Sequence, residues 1–150
     1  MRILVLCTHN SARSQMAEGF LRHFAKRAEL EAEVVSAGTE KTLVKADAIK
    51  VMREAGIDLG RHRSKTLTEL PDPWNFDLVL TVCDSANEAC PVYPARTTRL
   101  HLSIPDPSGE SLERWRSVRD MLAELSWSLV QSLVAGESPT EAGIHPRSLG

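Results

Sequence analysis

At 150 residues and 16.6 kDa the chain has the mass of one domain, enough to bury a sizeable core. A formal charge of -2 supplies no global basic field, which argues against nucleic acid or an anionic membrane as partner and confines any bound anion to a local site. The apolar runs are only a few residues long, too short to span a membrane.

The chain opens on Ile3-Leu4-Val5-Leu6, too short for the apolar core of a signal peptide, so residues 2–6 read as a first core strand of a cytoplasmic protein. From Ser14 the period changes. Met16, Phe20 and Phe24 recur every four residues, which predicts an amphipathic helix over 14–29. Residues 33–38 form a second short strand ending in a small-residue turn, and 46–55 a helix with Gly56 as its stop. The stretch 57–75, mostly polar and holding Pro71 and Pro73, reads as a long surface connection with at most one helical turn. Strands are expected at 77–82 and 99–103. The three- and four-residue steps of Leu112, Trp115, Val118, Leu122, Leu125, Leu129 and Leu133 then predict one long helix over 111–133. Strands alternating with helices imply a three-layer α/β/α fold on a four-stranded parallel sheet, with helices on both faces and ligands at the carboxyl ends of the strands. Residues 1–136 are expected to form a single catalytic domain and 137–150 a flexible tail.

The loop from Cys7 to Ser14 joins the first strand to the first helix and follows the pattern cysteine, five residues, Arg-Ser. A short loop entering a helix turns successive backbone N–H groups inward and makes an anion cradle from Thr8, His9, Asn10, Ser11, Ala12, Arg13 and Ser14. Arg13 adds a planar fork for two oxygens of one tetrahedral ion. Asn10 tolerates left-handed backbone angles, and Ser14 is expected both to cap the helix and to donate a hydrogen bond to the Cys7 thiolate. The positive surroundings favour that thiolate, so Cys7 is the candidate nucleophile. There is no Gly-Lys-Ser/Thr sequence, so the loop is not a nucleotide site with magnesium. Asp106, before Pro107 and just past the last strand, is the candidate acid for a departing oxygen.

Three cysteines are an odd number, and a reducing compartment keeps them as thiols. Cys83 directly follows the third strand and Cys90 comes seven residues later. A redox pair across that spacing requires the intervening segment to fold so that the two Cα atoms come within about 7 Å. Inert core thiols are the competing reading. Zinc is disfavoured because no cysteine pair has a spacing of roughly two to four residues.

Together these segments resemble the thioredoxin-coupled arsenate reductases built on the low-molecular-weight tyrosine phosphatase fold. The resemblance runs through Cys7-Thr8, Asn10-Ser11, Arg13-Ser14-Gln15-Met16-Ala17-Glu18-Gly19, Ser36-Ala37-Gly38, Thr81-Val82-Cys83, Cys90-Pro91, Asp106-Pro107 and Arg116-Ser117-Val118-Arg119-Asp120, over about residues 1–133. It implies that Cys7 attacks arsenate, that Arg13 and the loop amides hold the oxygens, and that Asp106 protonates the leaving hydroxyl. Cys83 then attacks Cys7 and arsenite leaves; Cys90 resolves the Cys7–Cys83 bond; thioredoxin reduces Cys83–Cys90. It further implies arsenate, phosphate or sulfate as ligand and weak phosphatase activity from the shared loop; the chain is expected to be a monomer with no cofactor and no metal.

Three departures bear on this. His9 and Ala12 stand where family loops often carry Gly and Cys. Some members bind potassium through residues matching Asn10, Glu18 and Ser36 plus an acidic residue; Lys65 takes the fourth position here, where an ammonium can stand in for the ion, so no potassium site is expected. Ser108 follows Asp106-Pro107 where the phosphatases carry tyrosine, and Tyr93 is the only tyrosine in the chain, which weakens an aromatic groove for phosphotyrosine. The alternatives are a phosphatase that uses Cys7, Arg13 and Asp106 with Cys83 and Cys90 as redox protection, and a non-catalytic oxyanion-binding module.

Overall fold

The computed structural model describes residues 1–84 and 90–140. The elements are β1 (Arg2–Leu6), α1 (Arg13–Arg27), β2 (Glu33–Ala37), α2 (Ala46–Glu54), a 3-10 turn at Leu67–Glu69, β3 (Leu78–Thr81), β4 (Thr98–His101) and α3 (Leu112–Val134). All four strands are parallel, in the order β2-β1-β3-β4. The expected four-stranded parallel sheet is present, and its strands lie within about three residues of their expected bounds.

The sheet is buried on both sides because its central strand is apolar at every position from Ile3 to Leu6. Alternation along β1 sends Ile3 and Val5 to one face, where Met16, Phe20, Leu21, Val118, Leu122 and Leu129 cover them. Leu4 and Leu6 point to the other face, against Leu70, Phe76, Val79 and Tyr93. The helices α1, α2 and α3 pack with one another over the first face. Among the described residues the helical part of the opposite layer is the one turn at Leu67–Glu69. Burying a Leu, Val or Phe side chain contributes about 1.5–3 kcal/mol, so these two clusters are the principal source of stability.

The long connection after α2 departs from its expectation as a surface loop. Leu59 is fully buried in the helical core, while Leu70 and Phe76 cover the far face of the sheet. These apolar residues have no regular period, so they act as separate anchors that periodicity cannot reveal. Helix α2 closes at its C-cap Ala55, followed by Gly56, whose φ of 82° lies in the left-handed region, as expected for a helix stop. No helix among the described residues is long and apolar enough to cross a membrane. Of the tail expected over 137–150, residues 141–150 lie outside the described residues.

One consequence of the strand order positions the site. From β1 the chain moves to β2 on one side and later to β3 on the other, so the topological switch point lies between β1 and β3. A crevice opens there at the carboxyl ends of the strands. Cys7 leaves β1 and Cys83 follows β3, on the two sides of that crevice.

Candidate active site

The loop from Cys7 to Ala12 is fixed by hydrogen bonds to three other segments. Cys7 N donates to Ala37 O at 3.2 Å, and Thr8 O accepts from Thr39 N and Glu40 N at 2.9 and 3.0 Å. His9 O accepts from the Ser64 hydroxyl at 2.8 Å, and Ser11 O accepts from Lys45 N at 2.8 Å. Asn10 has φ 52° and is fully buried, the left-handed role expected of it. Its side-chain oxygen accepts from Gln15 Nε2 at 2.9 Å and from Lys65 N at 3.0 Å. The loop's carbonyls from Thr8 to Ser11 are thus tied outward; the amides before Met16 have no acceptor within the helix, whose first such bond is Met16 N to Ala12 O at 2.9 Å.

Gly38 shows why the loop lies where it does. A Cβ at that position would meet Thr8 O at 2.5 Å and Asn10 N at 2.9 Å, both backbone atoms. The end of β2 thus presses against the cradle at a distance that only glycine allows.

Cys7 is a free thiol, buried at the end of β1. Its sulfur lies 2.9 Å from Ser14 Oγ, and Asn10 Nδ2 donates to the same oxygen at 2.8 Å. The expectation that Ser14 also caps α1 is corrected: the helix starts at Arg13, its N-cap is Ala12, and no side chain caps it. Ser14 is drawn inside the helix because its hydroxyl is engaged by Cys7 and Asn10.

Arg13 is buried, and its Nη1 donates to Ile104 O at 2.9 Å, which sets the direction of the guanidinium. Its Nη2 lies 3.9 Å from Asp106 Oδ2. Burial pushes the Asp106 pKa up, but hydrogen bonds from Ser108 and the charges of Arg13 and Lys45 outweigh it and hold the carboxyl below its ordinary 3.8. These groups share a cleft of about 750 Å³ lined by Cys7, Arg13, Lys45 and Asp106 among others. No Phe, Tyr or Trp among the described residues lines it. Tyr93 is instead a core residue that donates its hydroxyl to Pro73 O at 2.7 Å.

Cys83 and Cys90 are joined in a disulfide with Cα atoms 5.8 Å apart, inside the distance a bridge requires. The segment 85–89 between them, whose movement the spacing calls for, lies outside the described residues. One ring nitrogen of His101 lies within 4.8 Å of both sulfurs.

Behind the loop Glu18 is almost wholly buried. Its carboxylate accepts from Ser36 Oγ at 3.0 Å and lies 3.0 Å from His62 Nδ1 and 3.8 Å from Lys65 Nζ. The Lys65 ammonium therefore stands beside the Glu18 oxygen that accepts from Ser36. Burial pulls the Lys65 pKa down, partly offset by Glu18.

The sequence of residues 2–138 matches the family model described as low molecular weight phosphotyrosine protein phosphatase. The chain belongs to this family. An arsenate reductase of Shouchella clausii is 38% identical over 138 residues, covering 90% of this chain and 96% of the relative. Among solved structures, an arsenate reductase from Archaeoglobus fulgidus superposes with a TM-score of 0.75 at 30% identity, covering 86% of this chain and 98% of its own. An arsenate reductase in the phosphate-binding state gives 0.70 at 31% identity, covering 91% and 98%.

In this phosphatase-family chain the stretch Thr42 to Ala46 forms a wall of the cleft that no motif in the sequence announces. Lys45 is the member with chemical character, a cation acting on Asp106. Its position at the N-cap of α2 could have flagged it, because that helix starts at the same edge of the sheet. Leu43 and Val44 carry no signal in the sequence that separates them from ordinary loop residues.

Proposed function

We propose that this chain reduces arsenate to arsenite in a reducing, cytoplasmic compartment, using its three cysteines in turn. The observation that carries the reading is the Cys83–Cys90 disulfide just past β3, formed while Cys7, just past the neighbouring strand β1, remains a thiol. Phosphoester hydrolysis has no use for such a pair. The arsenate reductases among the relatives, and a cleft without aromatic walls, point the same way.

In this reading the oxyanion sits on the amides of residues 8–14 with two oxygens on the Arg13 fork. The Cys7 thiolate, supported by the Ser14 hydroxyl, attacks arsenic, and the departing hydroxyl takes a proton from Asp106 and leaves as water. Cys83 then attacks the Cys7 sulfur. The electron pair of the sulfur–arsenic bond passes to arsenic, which leaves as arsenite, and a Cys7–Cys83 disulfide forms. Cys90 attacks Cys83 and releases Cys7 as a thiolate. The resulting Cys83–Cys90 bond is the one an external dithiol must reduce, and Cys90, less buried than Cys83, is the accessible end. Thioredoxin is the reductant proposed. Phosphate and sulfate compete for the cradle, and slow hydrolysis of phosphate esters accompanies the main activity.

The experiment is a trap. Reduced Cys90→Ser protein mixed with arsenate should release about one equivalent of arsenite and stop as a Cys7–Cys83 disulfide, identified by peptide mass spectrometry. Arsenite release with no such disulfide would remove Cys83 from the sequence of steps.

A further inference from the structure

The spacing of the cysteines disfavours a metal, because no two thiols lie within a few residues of each other. The fold supplies a third donor from another strand. In the β3–β4 register Thr81 stands opposite His101, and Thr81 Oγ1 lies 2.7 Å from His101 Nδ1. Cys83 is two residues beyond Thr81, on the side to which Thr81 points if the strand alternation continues. Cys90 is brought to the same place, and one donor atom from each of Cys83, Cys90 and His101 lies within 4.8 Å of the other two.

We propose that the dithiol form of Cys83 and Cys90, together with His101, binds a thiophilic divalent cation, zinc in the first instance. Two thiolates and an imidazole are three of the four tetrahedral ligands zinc prefers, with the fourth position open to water. The Thr81 hydroxyl at Nδ1 holds the imidazole ring in place, and metal coordination is assigned to the other ring nitrogen. The site is gated by redox state. In the disulfide both sulfurs are bonded to each other and offer no thiolate. Reduction adds two electrons and two protons; zinc then displaces both thiol protons. An occupied site withdraws Cys83 and Cys90 from thiol exchange. This inference depends on the pair being reducible and on its thiols staying beside His101, and not on turnover, so a chain that failed to turn over arsenate would still display it.

The test uses the full chain reduced with a phosphine, which takes oxygen from water and leaves as its oxide, followed by anaerobic removal of the reagent. Cobalt(II) is titrated for sulfur-to-metal charge-transfer absorption, and zinc affinity is read by competition with a chromophoric chelator. The reduced protein should bind about one equivalent with tetrahedral cobalt bands. Cys83→Ser, Cys90→Ser, His101→Ala and the size-conserving His101→Gln should each weaken zinc at least as much as the roughly 10–100-fold lost with an outer-shell partner. Cys7→Ser should bind as wild type, and zinc should slow the reaction of the Cys83 and Cys90 thiols with an aromatic disulfide reagent. Equal binding by the oxidised protein, undiminished affinity in both His101 variants, or loss of binding in Cys7→Ser would overturn the proposal.

Discussion

The Cys7 sulfur and the Ser14 hydroxyl oxygen stand 2.9 Å apart, the first at the end of β1 and the second in the first turn of α1. Asn10 Nδ2 donates to the same oxygen at 2.8 Å, which leaves the hydroxyl's own proton available to a Cys7 thiolate. A loop of few residues thus delivers a donor to the nucleophile from inside the helix that also supplies its anion-binding amides.

Replacing Ser14 by Ala removes that donor from a charged acceptor, worth about 1.5–3 kcal/mol, or roughly 10–100-fold in rate. Alkylation of Cys7 by iodoacetamide at neutral pH, followed in a Cys83→Ser/Cys90→Ser background, is expected to slow accordingly. Unchanged alkylation would mean that the contact does not support the thiolate.

The second prediction concerns Asp106. Its folded pKa is depressed, so whatever stability it contributes is present above 3.8 and is lost as pH falls through the folded value. An acid must hold a proton, and the bound oxyanion supplies the means: it occupies Arg13 and repels the nearby carboxylate, raising its pKa in the complex. The rate of the first chemical step should therefore fall as pH rises through that elevated value. Asp106→Asn should lose this limb of the profile and about 10²–10⁴-fold in kcat. Sulfate affinity, measured by calorimetry, should be retained or improved. A variant with unaltered kcat would exclude Asp106 as the acid.

Gly38 yields a prediction far from the reacting atoms. A methyl group there must displace the backbone at Thr8 or Asn10, an overpacking that costs about 1–3 kcal/mol. The loop is the part that gives way, so Gly38→Ala should weaken phosphate binding more than it lowers the midpoint of thermal unfolding. Crystallography or nuclear magnetic resonance with phosphate would show whether the Thr8 and His9 amides have moved.

The four strands and three long helices were legible because their signals are strong and local: an unbroken apolar strand at Ile3 to Leu6, and leucines at helical steps after Leu112. The cradle was legible because its chemistry is contiguous in sequence. What stayed hidden depends on contacts between distant segments. Leu59 and Leu70 are core anchors without a period, and Ser14 forgoes the cap its residue type suggests because a thiol and an amide claim its hydroxyl. Lys45 and the neighbouring wall of the cleft reach the site through Ser11 O, and His101 reaches the cysteine pair across a strand pairing. Spacing along the chain encodes neither relationship.

The central claim is that three cysteines act in sequence on arsenate, and continuous turnover tests it most directly. NADPH consumption with arsenate, thioredoxin and thioredoxin reductase would be followed for wild type and Cys90→Ser, with p-nitrophenyl phosphate hydrolysis measured alongside. Sustained arsenate-dependent consumption by wild type, reduced to about a single turnover in Cys90→Ser, is the expected result. Background consumption by wild type, with both proteins hydrolysing the phosphate ester equally well, would contradict the claim and leave a phosphatase.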